Sequence, residues 1–201
     1  MKKRIAIFIS GRGSNMRSLL ERIKKGDLKA QCEFVFSDRH DAPGLQKAQH
    51  YGVTTYSFGV KEFSSKERYE AELLRLLQKH QVEFIVCAGY MKLIGKTLLD
   101  AYPYRIVNIH PSLLPAFPGL RAQKQALDYG VRYSGCTVHF IDEGVDTGPI
   151  IAQAVCEVSP KDTEESLSRK ILKLEHELYW RALQKIFAGY EIKGRRVIFK
   201  R

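Results

Sequence analysis

The strongest chemical signal in the sequence is a polar pair inside an apolar strand, in the segment Asn108 to Pro115. Asn108 and His110 are two residues apart, so a β-strand directs both side chains to the same face. A polar side chain on a buried strand needs hydrogen bonds or a function, and a lone histidine there is more often structural. An amide that donates to a carbonyl oxygen, beside an imidazole that can shuttle a proton, meets the needs of acyl transfer through a tetrahedral oxyanion.

A second signal is the acidic, glycine-bounded loop from Asp142 to Pro149, which lies between two predicted strands. An aspartate in such a loop usually caps a turn, and that interpretation stays open for both Asp142 and Asp146. A carboxylate beside His110 would instead fix the tautomer of the ring and raise its pKa, which would keep a proton donor available at neutral pH.

A third signal is the glycine-rich turn from Ser10 to Asn15, which follows an apolar run and precedes a helix predicted to begin near Met16. Glycines let backbone amides approach a ligand, and a helix amino terminus favours an anion. A dinucleotide fingerprint would need glycine in place of Met16, although Asp38 imitates its ribose-binding acid. The lysine of a Walker loop is absent. A tight turn capped by Ser14 or Asn15 remains a structural alternative.

These segments are positioned by alternating strands and helices. Short apolar runs typical of strands buried on both faces occur at Arg4 to Ile9, Cys32 to Phe36, Phe84 to Ala88 and Ile106 to Ile109. Two later strands and two clear helices are predicted at Gly135 to Phe140, Ile150 to Val158, Lys66 to His80 and Thr163 to Phe187. In the last helix the apolar face is predicted to contain Leu167, Ile171, Leu174 and Leu178. The alternation predicts a single Rossmann-like α/β domain, with a mostly parallel twisted sheet flanked by helices and ligands at the carboxyl ends of its strands.

Composition narrows the class of protein. A chain of 201 residues with 44% hydrophobic residues can form one globular domain. The net charge of +11 is scattered over the chain, so small anionic substrates explain it better than nucleic acid does. The four cysteines form no Cys-x-x-Cys pair, and no run is long enough for a signal peptide core or a membrane span. We expect a reduced, cytoplasmic protein with no structural metal and no membrane partner.

Taken together and in this order, the Ser10–Asn15 turn, the Asn108–Pro115 block and the Gly144–Pro149 loop resemble the glycinamide ribonucleotide transformylases. These folate-dependent formyltransferases of purine biosynthesis are also called phosphoribosylglycinamide formyltransferases. The resemblance extends from about Arg4 to about Phe187. It implies a single formyltransferase domain over residues 1–201, with a phosphate-binding amino half and a folate-binding carboxyl half.

The resemblance also implies roles for individual residues. The catalytic trio would be Asn108, His110 and Asp146. The phosphate of the ribonucleotide would be bound by Gly13, Ser14 and Asn15. Glu175 would bind the substrate near its reacting amine. The folate would contact Asn108, Lys66, Met91, Lys92, Leu93, Ile94 and the loop from Ile141 to Asp146, which would close on the pterin. Lys66 stands where the family often has arginine, so its grip on a folate carboxylate would be a single-point contact.

Three other functions share part of this pattern. The Asn-x-His-Pro-Ser block is also shared by methionyl-tRNA formyltransferase and formyltetrahydrofolate deformylase. Methionyl-tRNA formyltransferase carries an additional carboxyl-terminal RNA-binding domain, for which we expect no space in 201 residues. The deformylase normally has a regulatory domain before the catalytic one, whereas the first catalytic strand here is expected to begin at Arg4. A non-catalytic module that binds NAD or RNA would explain the charge and the fold, but not the trio. The expected reaction is therefore formyl transfer from 10-formyltetrahydrofolate, used as a co-substrate, to the amine of glycinamide ribonucleotide. Protonated His110 and Asn108 would stabilise the oxyanion, and the protein would act as a monomer or homodimer on small molecules only.

Overall fold

The structure is a computed structural model, and it describes residues 2–200 of the chain. Its strands and helices follow each other as β1 (Lys3–Ile9), α1 (Ser14–Lys25), β2 (Ala30–Ser37), α2 (Pro43–His50), β3 (Thr54–Ser57), α3 (Lys66–Lys79), β4 (Phe84–Cys87), α4 (Lys96–Ala101), β5 (Ile106–His110), α5 (Ala122–Tyr129), β6 (Tyr133–Phe140), β7 (Ile150–Glu157), α6 (Glu164–Ala188), β8 (Tyr190–Lys193) and β9 (Arg196–Phe199). The strand order β3-β2-β1-β4-β5-β6-β7 gives a seven-stranded sheet flanked by helices, as the alternation of the sequence predicted.

The chain divides into two compact units, and the boundary lies within β5, after Asn108. In the first unit the paired strands are parallel: β1 lies between β2 and β4, and β4 also pairs with β5. The register places Ile9 opposite Ser37 and Cys87 opposite Asn108. Because parallel strands end at the same edge, the segments that follow β1, β2 and β4 meet there, where ligands bind in such sheets.

In the second unit β6 and β7 form an antiparallel pair, and the register shifts between Val138 and His139. Helix α6 begins after Thr163, whose side chain accepts a hydrogen bond from the Ser166 amide. The buried face of this helix is only partly the predicted one. Leu167 and Ile171 are buried as expected, whereas Leu174 and Leu178 are half-buried.

The buried stripe of α6 continues instead through Glu175 and Tyr179, four residues apart. Hydrophobic periodicity missed this stripe because a charged residue occupies one of its central positions. A further element that the sequence did not predict is the antiparallel hairpin β8–β9, in which Tyr190 pairs with Phe199. The ring of Tyr190 lies 5.2 Å from that of Phe140, at the end of β6.

Candidate active site

The predicted polar pair lies at the end of β5. Asn108 is half-buried, and His110, the last residue of the strand, is only 5% exposed. Val107, which precedes Asn108, and Ile109, which lies between Asn108 and His110, are both buried. The polar pair therefore interrupts an apolar strand, as the sequence indicated. An imidazole so fully removed from water requires partners for its nitrogens.

The structure brings His110 and Asp146 together, which the sequence alone could not show. His110 Nδ1 lies 3.2 Å from Asp146 Oδ2, and His110 Nε2 lies 2.9 Å from the carbonyl oxygen of Phe117. Both partners are acceptors, whereas a neutral imidazole carries one N–H. A neutral His110 therefore satisfies one partner at a time, and a second proton on the ring would find an acceptor already in place.

Asp146 is held from several sides. Its Oδ2 accepts a hydrogen bond of 2.8 Å from the Gly119 amide, and its Oδ1 lies 3.5 Å from Nε2 of His139. Nδ1 of His139 donates to the Phe140 carbonyl at 2.8 Å, which fixes the orientation of that ring. Burial alone would raise the pKa of Asp146, but the contacts with His139, Gly119 and His110 outweigh it and the pKa is lowered. Asp146 is therefore ionised at neutral pH.

The pKa of His110 moves in the opposite direction to the one expected from the sequence. Burial lowers it below the ordinary value, and the Phe117 carbonyl and the Asp146 carboxylate offset only part of that effect. The expectation of a raised pKa was wrong because it counted the carboxylate and not the loss of water around the ring. At neutral pH the resting ring is neutral, so it can accept a proton during a reaction, and Asp146 stabilises the cation that forms.

The structure shows which aspartate of the Asp142–Pro149 loop caps a turn and which lies beside His110. Asp142 caps the turn, since its Oδ1 accepts hydrogen bonds from the Gly144 amide at 3.1 Å and from the Thr147 hydroxyl at 2.6 Å. Asp146 instead faces the histidines. The guanidinium of Arg195, in the turn of the β8–β9 hairpin, donates to the Thr147 carbonyl at 2.6 Å. Hydrogen bonds at Asp142 and Thr147 thus hold the loop on both sides of Asp146. Ile141, at the start of the loop, is half-buried.

The predicted phosphate loop leads directly into α1. Gly13 is the N-cap of the helix, in the left-handed conformation with φ of 66°, and it has no side chain with which to cap the first turn. A Cβ at Gly13 would lie 3.1 Å from Gly44 Cα, so this position requires a residue without a side chain. Capping by Ser14 or Asn15, the structural alternative, is therefore wrong: both lie in the first turn of α1, which carries no acidic residue. A helix amino terminus whose N-cap residue is glycine lets backbone amides approach an anion closely.

The predicted folate-binding segment follows β4. Met91 and Leu93 are 65% and 66% exposed, while Ile94 is half-buried. The ammonium group of Lys92 lies 3.9 Å from a carboxylate oxygen of Asp38.

Lys66, on α3, lies close to the end of the same segment. Its ammonium group is 3.8 Å from Oε1 of Glu70, and that oxygen accepts a hydrogen bond of 2.6 Å from the Gly95 amide. The structure thus brings Lys66 and the segment after β4 together through Glu70.

Glu175, predicted to bind near the reacting amine, is 7% exposed on α6. The pKa of the Cys136 thiol is raised to about 12, mainly by burial and in addition by the negative charge of Glu175. Glu175 therefore lies near β6, and its contact with a substrate stays a prediction.

Sequence reasoning missed three groups around the pair: the ring of His139, the carbonyl of Phe117 and the amide of Gly119. His139 could have been found, because it is a polar residue on an apolar strand, the same signal that singled out Asn108 and His110. The other two are backbone groups, and any residue type supplies them, so no sequence pattern marks them.

Within residues 2–200 no cluster of three or more histidine, cysteine, aspartate or glutamate side chains is arranged to hold a metal ion. No helix in the described part of the chain is both long enough and apolar enough to cross a membrane.

Comparison with known proteins identifies close relatives. The Formyl transferase family matches residues 3–183. The phosphoribosylglycinamide formyltransferase of Bacillus subtilis is 44% identical over 177 residues, which cover 88% of this chain and 91% of that protein. The crystal structure of glycinamide ribonucleotide transformylase 1 from Symbiobacterium toebii has a TM-score of 0.97 at 44% identity, covering 100% of this chain and 95% of that one. A formyltetrahydrofolate deformylase from Pseudomonas syringae has a TM-score of 0.92 at 28% identity, covering 100% of this chain and 67% of that one.

Proposed function

The chain belongs to the formyl transferase family, and we propose that its His110–Asp146 pair, with Asn108, catalyses formyl transfer to glycinamide ribonucleotide. That transfer, a step of purine biosynthesis, is the reaction named for relatives that are 44% identical to this chain. The family uses a formyl-folate as co-substrate, and we take it to be 10-formyltetrahydrofolate. The observation that carries the catalytic proposal is the 3.2 Å approach of Asp146 to a buried His110.

The chemistry requires an oxyanion donor and a proton carrier. As the amine attacks the formyl carbon, the carbonyl oxygen becomes negative, and Asn108 together with an N–H of His110 would donate to it. In this step the formyl oxygen would replace the Phe117 carbonyl as the acceptor for His110 Nε2. With Nε2–H donating to the formyl oxygen, the ring nitrogen without a proton is Nδ1, beside Asp146. The proton released by the attacking nitrogen would therefore reach the ring there through water and pass on to the folate nitrogen that leaves. Asp146 orients the ring and stabilises its transient positive charge.

The binding roles follow the predicted residues. Gly13, Ser14 and Asn15 would bind the phosphate of the ribonucleotide through backbone amides at the start of α1. Glu175 would bind near the amine that reacts.

On the folate side, Lys66 and Lys92 carry exposed positive charge that suits the carboxylates of a folate. Met91, Leu93, Ile94 and Ile141 supply apolar surface for its rings, and the loop from Ile141 to Asp146 would close on the pterin. In this proposal residues 1–201 act as one formyltransferase domain on small molecules, as a monomer or a homodimer.

The deciding experiment adds acceptors one at a time. Purified protein is mixed with 10-formyltetrahydrofolate alone, with glycinamide ribonucleotide, or with aminoacylated initiator tRNA, and the release of tetrahydrofolate is followed. We expect slow release alone, fast release with the ribonucleotide, and no stimulation by the tRNA. Fast release without an acceptor would favour deformylase activity, to which the similarity with the Pseudomonas enzyme points, and stimulation by tRNA alone would also overturn the proposal.

A further inference from the structure

Three groups from three parts of the first unit meet at the carboxyl edge of its strands. The hydroxyl of Ser10, just after β1, donates to Asp38 Oδ1 at 2.5 Å, and the amide of Met91 donates to the same hydroxyl at 2.8 Å. Ser10 is 7% exposed and the side chain of Asp38 is 4% exposed. A single buried hydroxyl thus joins the loop after β1, the end of β2 and the segment after β4.

The direction of this hydrogen-bonded chain is fixed by chemistry. A backbone amide only donates and a carboxylate only accepts, so the Ser10 oxygen must accept from Met91 while its proton points to Asp38. A polar chain in which each group has its partner is stronger than isolated bonds, and removal of its middle member leaves both end groups unsatisfied. Ser10 is that middle member.

The segment after β4 needs such an anchor. It runs from Met91 to Gly95 without regular secondary structure, and it exposes the apolar side chains of Met91 and Leu93. Its far end is fixed by the hydrogen bond from the Gly95 amide to Glu70, and its near end by the bond from Met91 to Ser10. Side chains that are exposed but carried on a backbone fixed at both ends form a preorganised surface for a ligand.

Asp38 has a second contact with the same segment, because Lys92 lies 3.9 Å from its Oδ2. The position of Asp38 after the second strand imitates the acid that binds ribose in dinucleotide-binding folds. Here one of its oxygens accepts from Ser10 and the other faces a lysine of the predicted folate site. The structure therefore gives this carboxylate a local role that the sequence pattern did not suggest.

We propose that Ser10, oriented by Asp38, is a positioning residue that holds the segment Met91–Ile94 in place for the folate co-substrate. This inference rests on the proposed function, since it takes that segment to be folate-binding. Ser10 itself does not touch the substrate in this account.

The effect of losing Ser10 should be confined to the folate side. The neighbouring phosphate loop has its own supports: the Gly11 carbonyl accepts from the Gly44 amide at 3.0 Å, and the Arg12 carbonyl accepts from the ammonium group of Lys47 at 2.7 Å. These contacts remain when the Ser10 hydroxyl is removed, because they involve only backbone carbonyls and residues of α2. Binding of the ribonucleotide is therefore expected to survive.

The test is Ser10→Ala, with Michaelis constants measured for both substrates. We expect the constant for 10-formyltetrahydrofolate to rise about ten-fold, the factor that corresponds to one net buried hydrogen bond. The constant for glycinamide ribonucleotide and kcat should stay within about two-fold, since no group that touches the reacting atoms changes. The matched control is Ser57→Ala, which removes a hydroxyl bonded to His40 at 3.0 Å in the same unit and should change neither constant.

Two Asp38 variants separate positioning from a general loss of structure. Asp38→Asn keeps an oxygen acceptor for Ser10 and should retain a folate constant close to wild type. Asp38→Ala removes the acceptor and should raise that constant selectively. If Ser10→Ala does not fold, Asp38→Ala carries the test, and an unchanged folate constant in it overturns the proposal.

A readout independent of turnover is hydrogen exchange of peptides that cover residues 89–95. In Ser10→Ala without substrates, exchange there should be about ten-fold faster than in wild type, while the α1 peptides stay unchanged. Suppose that the wild-type protein transfers the formyl group, but Ser10→Ala leaves folate binding unchanged or changes both Michaelis constants equally. That result would refute the inference and leave the proposed function intact. A wild-type protein without acceptor-dependent activity would refute the proposed function instead.

Discussion

Replacement of Asp146 by asparagine keeps the shape of the side chain and removes its charge, so it isolates what the carboxylate does for His110. Charges 3.2 Å apart, the distance between His110 Nδ1 and Asp146 Oδ2, interact by about 5 kcal/mol at an effective dielectric constant of about 20. That value is a ceiling, because the Asp146 side chain is 14% exposed and water screens the pair. Each 1.4 kcal/mol corresponds to about a factor of ten, so we expect kcat to fall by about two to four orders of magnitude.

The pH dependence of the same variant tests the direction of the pKa shifts. The carboxylate raises the pKa of His110 against the larger lowering by burial, so its loss lowers that pKa further. The acid limb of the kcat profile should therefore move to lower pH. Asp146 has a lowered pKa in the folded protein, so it stabilises the fold above its unfolded pKa, and this contribution disappears as pH falls through the folded value. The variant should unfold more easily than wild type at neutral pH, and the difference should vanish in acid.

The assay is steady-state formyl transfer across the pH range, with thermal unfolding measured in parallel. Asp128→Asn is the charge-matched control, because Asp128 is exposed on α5 and its carboxylate pairs with Lys124 at the surface. A variant within a few-fold of wild-type kcat, or an acid limb displaced to higher pH, would refute the role assigned to Asp146.

Three further substitutions probe the remaining parts of the site. His110→Ala and Asn108→Ala should each lower kcat by about two to four orders of magnitude in the transfer assay. Because the two groups act as a unit, the double variant should lose much less than the product of the two single losses. If either single variant keeps a kcat close to that of wild type, the replaced residue has no catalytic role. Gly13→Val should raise the Michaelis constant for glycinamide ribonucleotide far more than that for the folate, since a Cβ there meets Gly44 Cα and displaces the loop proposed to bind phosphate. Equal effects on both constants would favour a purely structural turn. Arg195→Ala should lower kcat by up to about ten-fold, because one exposed hydrogen bond to the Thr147 carbonyl is lost. The melting temperature and the neighbouring variant Arg196→Ala serve as controls. An unchanged kcat would show that the hairpin does not position the loop.

Much of the fold was predictable because its strands are buried on both faces. The predicted runs at Arg4–Ile9, Cys32–Phe36 and Phe84–Ala88 are mostly apolar, and they coincide with or overlap strands β1, β2 and β4 of the structure. The short strand β3 and the hairpin β8–β9 were missed, since four-residue strands with half-exposed faces leave little periodicity to detect.

The site was predictable where it depends on residue type and position along the chain. Asn108 and His110 share a strand, so their relation follows from alternation, and Gly13 precedes a helix, so its role follows from backbone geometry. The approach of Asp146 to His110 spans a separation in sequence that no local pattern encodes. The lowered pKa of His110 depends on burial by the whole surrounding structure, which the sequence does not display.

The proposed function requires the formyl group to pass to the amine of glycinamide ribonucleotide and not to water. The most direct measurement follows the label of 10-[13C]formyltetrahydrofolate by NMR, in a single turnover with an excess of enzyme and ribonucleotide. We expect the label to appear in formylglycinamide ribonucleotide in a one-to-one ratio with tetrahydrofolate, and His110→Ala to suppress this product. Label recovered as formate, at the same rate with and without the ribonucleotide, would contradict it.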